Sequence, residues 1–326
     1  MTLCRICGTE SEHPLHTVLE MQYGTREEFV YFECTNCRCL QIRDFPAAPE
    51  KHYPNDYYSF FPRSLAQSLT LTQRVKKHGR RKIVDSQLAN KSALGTLLER
   101  RLGHDFIPYW LLKDGLNIFS GSQILDVGCG TGEDLIDLEL IGFRRLLGVE
   151  PFIPSDIVYP NGVKILKSSL DSINGTFDFI MLHHSFEHMK EQLKVLQKLN
   201  SLLPSGHYVL IRIPIRSYAW EHYGTNWAQI DAPRHFFLHS VDSFKLLASQ
   251  AGFEISQIIY DSNEFQFWAS EQYARGISLR DENSYGVNPS LSIFSKTDIE
   301  SYRAKANVLN QEKRGDQACI YLQKLP

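Results

Sequence analysis

The chain has 326 residues, of which 43% are hydrophobic and 22% are charged, a composition that supports a folded core with room for a full domain and a smaller lobe. The net charge of -2 and the isoelectric point near 6.6 exclude a general affinity for nucleic acid. The sequence contains no apolar run of the ~20 residues that a membrane-spanning helix needs, and it has no internal repeats.

Two C-x-x-C motifs mark the first 45 residues, and their cysteines are Cys4, Cys7, Cys34 and Cys37. Each motif sets two thiolates on one turn, and four thiolates complete the tetrahedral shell that structural zinc prefers. Redox disulfides are the alternative, but the chain opens with Met1-Thr2-Leu3 and no leader-like segment, which favours the reducing cytoplasm. We expect a zinc site that stabilises a lobe over residues 1–45, with Cys39, His13 and His16 available as substitute ligands.

Residues 46–120 are predicted to connect this lobe to a second domain. Prolines open the connector, an aromatic cluster from Tyr53 to Phe61 follows, and the remainder is largely helical. The stretch from Arg74 to Lys82 contains six Lys or Arg in nine residues. It suits either the binding of a substrate phosphate or the solvated face of a helix, which is the common explanation of a charge run.

The most informative stretch, Ile124 to Gly132, reads as a buried strand that enters a glycine turn and opens a helix. Its glycines are Gly128, Gly130 and Gly132, which leave the turn backbone open to a ligand. Asp126 precedes the turn, and Glu150 ends the next strand, where an acid commonly accepts hydrogen bonds from a ribose. The G-x-G-x-G spacing argues against NAD, and the lack of a following P-loop lysine argues against a nucleoside triphosphate. A nucleoside cofactor of another kind is predicted.

Strands and helices alternate from residue 123 onward. Strands are predicted near 123–128, 145–150, 163–167, 177–182 and 207–213, and further strands at Ile255–Trp268 and Ala318–Leu322. A helical insertion is expected at about 270–316. Because the first five strands alternate with helices, we predict an α/β fold with a parallel sheet.

The glycine turn resembles motif I of the class I S-adenosylmethionine-dependent methyltransferases, and the likeness continues through Phe177–Ile180, Phe186–His188 and Leu203–Gly206. The resemblance implies a Rossmann-like sheet over residues 121–326, parallel with an antiparallel C-terminal hairpin at its edge. It also implies that the glycine turn holds the methionine end of the cofactor, that Glu150 holds the ribose, and that the segment after the third strand flanks the adenine.

The adenine segment departs from the family pattern, in which many relatives carry an acid directly after the third strand. This chain has Ser168-Ser169-Leu170 there, so Asp171 or a backbone amide is expected to contact the adenine amine, unless Asp171 only caps a helix. The cofactor-binding residues expected in all are Asp126, Gly128, Gly130, Gly132, Glu150, Ser169, Asp171 and His183.

Polar and aromatic side chains are concentrated after the fourth and fifth strands, where ligands of open α/β sheets bind. Asp231–Ser240 resembles the segment that holds the catalytic histidine in sugar methyltransferases with an N-terminal zinc-binding lobe, which makes His235 the candidate base. Those relatives place an acid immediately before the histidine, whereas Arg234 stands here and is suited to a substrate phosphate or carboxylate. Glu187 and His188 are further catalytic candidates. The structural alternatives are that Glu187 and His188 cap a helix and that His235 only packs within the fold.

The expected substrate contacts are Tyr223, Trp227 and Arg234, and the resemblance to the sugar methyltransferases implies that Tyr57 or Tyr58 also reaches over the acceptor pocket. These features predict a cytoplasmic S-adenosylmethionine-dependent methyltransferase with structural zinc. The resemblance implies that it acts on a sugar, nucleotide-linked or part of a surface glycan, and a phosphate on this acceptor is expected. Methylation of RNA or of a protein is the competing enzymatic reading, and a zinc-containing scaffold with a vestigial cofactor fold is the non-enzymatic one. The acceptor atom and the oligomeric state are left open by the sequence.

Overall fold

The computed structural model describes residues 1–52, 71–89 and 91–326. In the N-terminal part, β1 (Thr2–Leu3) pairs with β2 (Glu10–Ser11), and β3 (Leu15–Leu19), β4 (Glu28–Glu33) and β5 (Leu40–Ile42) form an antiparallel sheet. The aromatic cluster of the connector, including the predicted substrate contacts Tyr57 and Tyr58, lies outside the described residues.

The remaining strands are β6 (Gln123–Val127), β7 (Arg145–Val149), β8 (Ile157–Val158), β9 (Lys164–Leu166), β10 (Phe179–His183), β11 (Tyr208–Pro214), β12 (Phe237–Leu238), β13 (Phe253–Tyr260) and β14 (Gln317–Lys324). The helices are α1 (Leu71–Leu88), α2 (Ala93–Leu102), α3 (Glu133–Ile141), α4 (Gln192–Ser201), α5 (Tyr218–Tyr223), α6 (Val241–Gln250), α7 (Phe265–Ala274) and α8 (Lys296–Gln311). Side chains cap several of these helices; Ser240, for example, accepts a hydrogen bond from the Ser243 amide at the start of α6.

The main sheet has eight strands in the order β13-β14-β11-β10-β6-β7-β9-β8. The five strands from β11 to β9 are parallel, and β14, β13 and β8 are antiparallel to their neighbours. The predicted Rossmann-like fold with an antiparallel C-terminal edge is therefore confirmed. The chain builds β6, β7 and β9 in one direction and then returns to β10 and β11 on the other side, so the strand order reverses between β6 and β10, where ligands of such sheets bind.

Both faces of the main sheet are covered. Successive strand residues point to opposite faces, and Ile124 and Leu125 accordingly belong to two different clusters of buried side chains. One cluster joins the sheet to α1 and α3, and the other joins it to α4, α6 and the N-terminal sheet. The basic stretch lies on α1, where Lys77 pairs with Glu139 of α3 and Arg81 donates to Ser120. No helix in the described part of the chain is long and apolar enough to cross a bilayer.

The N-terminal sheet is joined directly to the segment that carries His235. β12 pairs antiparallel with β5, with Phe237 opposite Gln41, and the Ile42 amide donates to the Phe236 carbonyl. The Tyr31 hydroxyl donates to the His235 carbonyl over 2.8 Å. The 1–45 segment and the following domain thus share one hydrogen-bonded sheet and one core.

The predicted strand from Ile255 to Trp268 is wrong in its second half. β13 ends at Tyr260, and α7 begins at Phe265 after a turn in which the Asn263 side chain accepts a hydrogen bond from the Phe265 amide. The helix is buried on most of its surface, so its apolar residues lack the one-sided pattern that marks a surface helix. The region expected to be a helical insertion contains α8 and an irregular stretch from 275 to 295.

Candidate functional site

A cavity of about 680 Å³ opens at the carboxyl ends of β6, β7 and β10, at the reversal of strand order. This larger cavity has the size and mixed lining of a small-molecule site. It is lined by the glycine turn, by acids and by the segment after β9: Asp126, Gly128, Gly130, Glu133, Asp134, Glu150, Phe152, Ser168, Ser169, Leu170, Asp171, His183, His184, Ser185, His188, Met189 and Arg212 are among its residues.

The glycines of the turn have different physical roles. Gly128 and Gly130 line the larger cavity with φ values of 74° and 54°, the left-handed region that disfavours side chains. A Cβ on Gly128 would lie 2.4 Å from the Ser185 Cβ. Gly132 is the N-cap of α3 and is not among the residues that line the cavity. A Cβ on Gly132 would lie 2.4 Å from Ile165 Cδ1, so this glycine permits helix–strand packing, while its expected cofactor contact stays a prediction.

The acids beside the glycine turn make the larger cavity complementary to a cation. Glu150 accepts hydrogen bonds from the Gly130 amide at 3.2 Å and from the Phe152 amide at 3.0 Å. Burial raises the pKa values of Glu150 and Asp134, and burial together with nearby carboxylates raises the pKa of Asp126 well above its usual range. A buried carboxylate is stabilised by a nearby positive charge. S-adenosylmethionine carries both a sulfonium and an ammonium group, and the donor set fits it.

Arg212 lines the larger cavity and was missed by the sequence analysis. Its Nε lies 2.5 Å from the Asp261 carboxylate, which holds the guanidinium at the end of β11. The signal was present, because Arg212 interrupts the otherwise apolar strand Tyr208–Pro214. A charged residue within a buried strand is rarely placed there for packing alone.

A second cavity of about 380 Å³ adjoins the first, and both are lined by His184 and His188. Its walls combine aromatic, aliphatic and polar side chains from the N-terminal part, the segment after β11, α7 and the loop after α7. They include Gln22, Gln229, Asp231, His235, Phe265, Trp268, Tyr273, Leu279, Arg280 and Val287. A molecule in this smaller cavity and one in the larger cavity would meet at the two histidines.

Most of the smaller cavity was not predicted from the sequence. The α7 residues Phe265 and Trp268 were assigned to a strand, although their spacing of three is typical of one helix face. Gln22 and Arg280 come together through backbone hydrogen bonds between residues 279–280 and 21–22, a pairing of distant segments that leaves no local pattern.

Three candidate catalytic residues lie close together near the junction: His188 lines both cavities and His235 the smaller one, whereas the fully buried Glu187 is not among the described residues that line either. His235 Nε2 lies 3.9 Å from Glu187 Oε1, and the rings of His188 and His235 are 4.7 Å apart. Burial of the Glu187 carboxyl acts to raise its pKa, but the surrounding imidazoles, His184 first, lower it on balance to about 2. Burial, with repulsion from His188, lowers the pKa of His235 to about 4, and burial lowers the pKa of His183 to about 3. The site therefore holds an ionised Glu187 beside a neutral His235 at pH 7.

Three predicted substrate contacts are directed elsewhere, since Tyr223, Trp227 and Arg234 are not among the described residues that line either cavity. The Trp227 indole donates to Asp316 over 2.8 Å inside the core. The Tyr223 hydroxyl lies 3.3 Å from the Glu271 carboxylate on α7. Both aromatic side chains thus satisfy their polar atoms within the fold, as buried Trp and Tyr usually do.

Arg234 is a buried structural ion and not a clamp for substrate. Its guanidinium bonds Asp231 at 2.6 and 2.9 Å, Glu20 at 2.8 Å and the His52 carbonyl at 3.2 Å. Only 1% of the side chain is exposed. The sequence indicated a charge at this position but not the distant Glu20 that neutralises it.

The four cysteines of the C-x-x-C motifs converge, with sulfur atoms within 4.8 Å of one another. Cys4 lies 3.6 Å from Cys37, and Cys7 lies 3.5 Å from Cys34. Cys39, by contrast, has its sulfur directed at the Leu40 carbonyl and His239, away from the cluster. Four thiols at this spacing fit the tetrahedral shell of zinc.

The cofactor-site geometry agrees with the comparison against family profiles, in which residues 98–258 match a family described as a methyltransferase domain. A search of the curated proteins found no match. Among solved structures, the cyclopropane synthase MmaA2 from Mycobacterium tuberculosis is 14% identical, over 63% of this chain and 78% of that chain, with a TM-score of 0.40. The YcgJ protein from Bacillus subtilis is 14% identical, over 64% of this chain and 93% of that chain, with a TM-score of 0.40.

The O-methyltransferase from a trans-AT PKS multienzyme of Brevibacillus brevis, solved with S-adenosyl-L-homocysteine, is 17% identical over 63% of this chain and 67% of that chain, with a TM-score of 0.37. None of these likenesses bears on the acceptor of the present chain. The family match over 98–258 includes the glycine turn, Glu150 and the Glu187–His188 pair. The chain is an enzyme, an S-adenosylmethionine-dependent methyltransferase.

Proposed function

We propose that this methyltransferase transfers its methyl group to a sugar, either linked to a nucleotide or part of a glycan precursor. The observation that carries the proposal is the junction of the two cavities at His184 and His188. One cavity has the acids and glycine turn suited to the cofactor, and the other opens beside it with room for a compact polar molecule. This arrangement supports in-line transfer between two molecules held end to end.

Within the larger cavity, we assign Gly128 and Gly130 to the methionine end of the cofactor and Glu150 to the ribose. Ser169 and Asp171, which line the same cavity after β9, are assigned to the adenine. Neighbouring backbone amides orient the two oxygens of Glu150, so each retains a lone pair for a ribose hydroxyl. When bound, S-adenosylmethionine supplies the electrophilic methyl group.

The lining of the smaller cavity supports a sugar acceptor. Trp268 and Tyr273 offer aromatic surface for the C–H faces of a pyranose ring, while Gln22, Gln229 and Asp231 offer hydrogen-bonding groups for hydroxyls. Arg280 is exposed in the same lining and can pair with the phosphate of a nucleotide or lipid carrier. Arg280 thereby takes the phosphate-binding role that the sequence suggested for Arg234.

We assign proton acceptance to the group formed by Glu187, His188 and His235. His235 is the first candidate because of the resemblance of its segment to that of the sugar methyltransferases, and its Nδ1 lies 2.7 Å from the Gln229 carbonyl. A carbonyl only accepts, so Nδ1 carries the ring proton and Nε2 has the lone pair. We expect His235→Ala to retain cofactor affinity and to lower turnover roughly a hundredfold or more.

We also propose that Cys4, Cys7, Cys34 and Cys37 bind structural zinc. Gln41 Nε2 donates to the Cys4 sulfur over 3.0 Å, and the Cys37 amide donates to the Cys34 sulfur over 3.5 Å. Such N–H···S bonds orient thiolates and lower their negative charge. The cluster shares one core with Phe237 of β12, so the zinc would stabilise the segment that carries His235.

The experiment is a calorimetric titration with S-adenosylhomocysteine, followed by assay of nucleotide sugars for methyl transfer by mass spectrometry. We expect micromolar binding, its loss in Gly130→Asp, and a product heavier by one methylene with at least one sugar. Binding without transfer to any sugar, but with transfer to RNA or protein, would contradict the sugar assignment. Absence of binding to the folded protein would contradict the assignment of the larger cavity.

A further inference from the structure

Glu187, His188 and His235 share a geometry that a proton-transfer role alone does not require. One ligand-type atom from each lies within 4.8 Å of the others. The Glu187 side chain is fully buried, and 8% of the His235 side chain is exposed. Two imidazoles and one carboxylate are a donor set that divalent transition metals prefer.

Both histidines are oriented as metal ligands usually are. His188 Nδ1 lies 2.9 Å from the Arg234 carbonyl, and His235 Nδ1 lies 2.7 Å from the Gln229 carbonyl. Each Nδ1 therefore carries a proton, since a carbonyl can only accept. A metal-bound histidine typically donates its second ring N–H to a carbonyl or carboxylate while the other ring nitrogen binds the ion.

The buried carboxylate of Glu187 has imidazoles near it but no hydrogen bond from the described residues. Neither of its oxygens has a hydrogen-bond partner among the described residues, and the nearest ring nitrogen, His184 Nδ1, is 3.5 Å away. The Nε2 of His235 is 3.9 Å from Glu187 and 3.8 Å from Asp231, too far for a hydrogen bond to either. A fully buried carboxylate without hydrogen bonds is costly unless a cation lies against it.

We propose that Glu187, His188 and His235 bind a divalent transition-metal ion at the junction of the two cavities. An ion with bonds of ~2.1 Å holds neighbouring ligands roughly 3 Å apart, so side-chain shifts of about 1 Å close the set around it. Three protein ligands leave coordination positions open toward the smaller cavity, and neighbouring hydroxyls of a sugar are oxygen donors that can occupy two of them.

The role of the ion, unlike its binding, rests on the proposed function. A bound ion would lower the pKa of an acceptor hydroxyl, and the proton of that hydroxyl would pass to water. The acceptor oxygen would then form the new O–C bond while the C–S bond of the sulfonium breaks, and the sulfur would keep the electron pair. With the ion bound, Nε2 of His235 would be a ligand, and the proton acceptance assigned to it above would pass to water. The acceptor class narrows to molecules with two neighbouring hydroxyls.

The test is a titration of the zinc-replete protein with Mn²⁺, followed by electron paramagnetic resonance. Mn²⁺ favours nitrogen and oxygen over thiolate ligands, so it reports on this site and not on the cysteine cluster. We expect one Mn²⁺ per chain, with spin-echo modulation from imidazole nitrogen, and an affinity at least roughly tenfold weaker in Glu187→Gln. Glu191→Gln is the matched control, because that side chain is 65% exposed.

The outcomes separate the two proposals. Mn²⁺ that binds wild type and Glu187→Gln equally, or without a nitrogen signal, would overturn the metal site. The metal site is also overturned if no Mn²⁺ binds protein that still binds S-adenosylhomocysteine. Nitrogen-coordinated Mn²⁺ without methyl transfer to any diol-containing sugar would sustain the metal site and contradict the sugar function. The nitrogen signal is measured on wild type, so the test does not depend on the folding of a variant.

Discussion

Glu150→Gln removes the charge of one cavity carboxylate while nearly preserving the volume of the side chain. In the structure, one oxygen accepts from the Gly130 amide at 3.2 Å and the other from the Phe152 amide at 3.0 Å. Glutamine keeps one acceptor and turns an NH₂ toward the other amide, so one of the two proposed ribose hydrogen bonds is lost. A hydrogen bond to a charged group contributes about 1.5–3 kcal/mol, which corresponds to a loss of affinity of roughly 10- to 150-fold.

The assay is the dissociation constant of S-adenosylhomocysteine by calorimetry, with thermal unfolding to verify that the variant is folded. Glu191→Gln makes the same chemical change on an exposed side chain and should leave the constant unchanged. A change of less than threefold in folded Glu150→Gln would refute the assignment of Glu150 to the ribose, because neither charge nor a second acceptor would then matter to the ligand.

Three further predictions concern stability. Gly132→Ala should lower the free energy of unfolding in urea by roughly 2–5 kcal/mol, because alanine is strained at positive φ and overlaps Ile165. The control Gly175→Ala has positive φ but open space, so it should lose only the strain of roughly 1–2 kcal/mol. Equal losses in the two variants would contradict the packing role of Gly132. Burial raises the pKa of Asp316 from 3.8 to about 6, so the folded state binds this proton more tightly than the unfolded state. The free energy of unfolding should therefore fall by about 3 kcal/mol as pH rises from about 4 to 6. Asp316→Asn should remove that fall, and a variant with the wild-type pH profile would refute the role of Asp316. Cys34→Ser should reduce bound zinc by one equivalent and lower the Tm by roughly 5 °C or more, and full zinc retention would place the metal elsewhere.

The parallel strands and the glycine turn could be predicted because each depends on a short stretch of chain. Buried strands such as Ile124–Val127 have an apolar run and a turn signal in sequence order. Trp227 was misassigned because an aromatic residue in a loop has the same local pattern whether it lines a cavity or bonds Asp316 in the core. Arg234 depends on Glu20, 214 positions away, and no local pattern encodes that pair.

The smaller cavity could not be predicted for the same reason. Its walls come from the N-terminal part, from the loop after β11 and from α7, and only the fold brings them together. His235 and His188 could be proposed from motifs, yet the lack of a hydrogen bond to the buried Glu187 carboxylate from the described residues is a property of burial and distance. A missing hydrogen bond to a buried carboxylate can be recognised only from the three-dimensional structure.

The pairing of β5 with β12 has a consequence for the order of events during biosynthesis. β5 ends at Ile42, and its outer partner begins only at Phe237. At translation rates of about 5–20 residues per second, β5 is synthesised roughly 10–40 s before its partner strand, and its edge is unpaired during that time. An unpaired strand edge invites association with other chains throughout this interval. Early metal capture by the four clustered cysteines, the last of which is Cys37, would keep the nascent sheet folded until its last strand arrives.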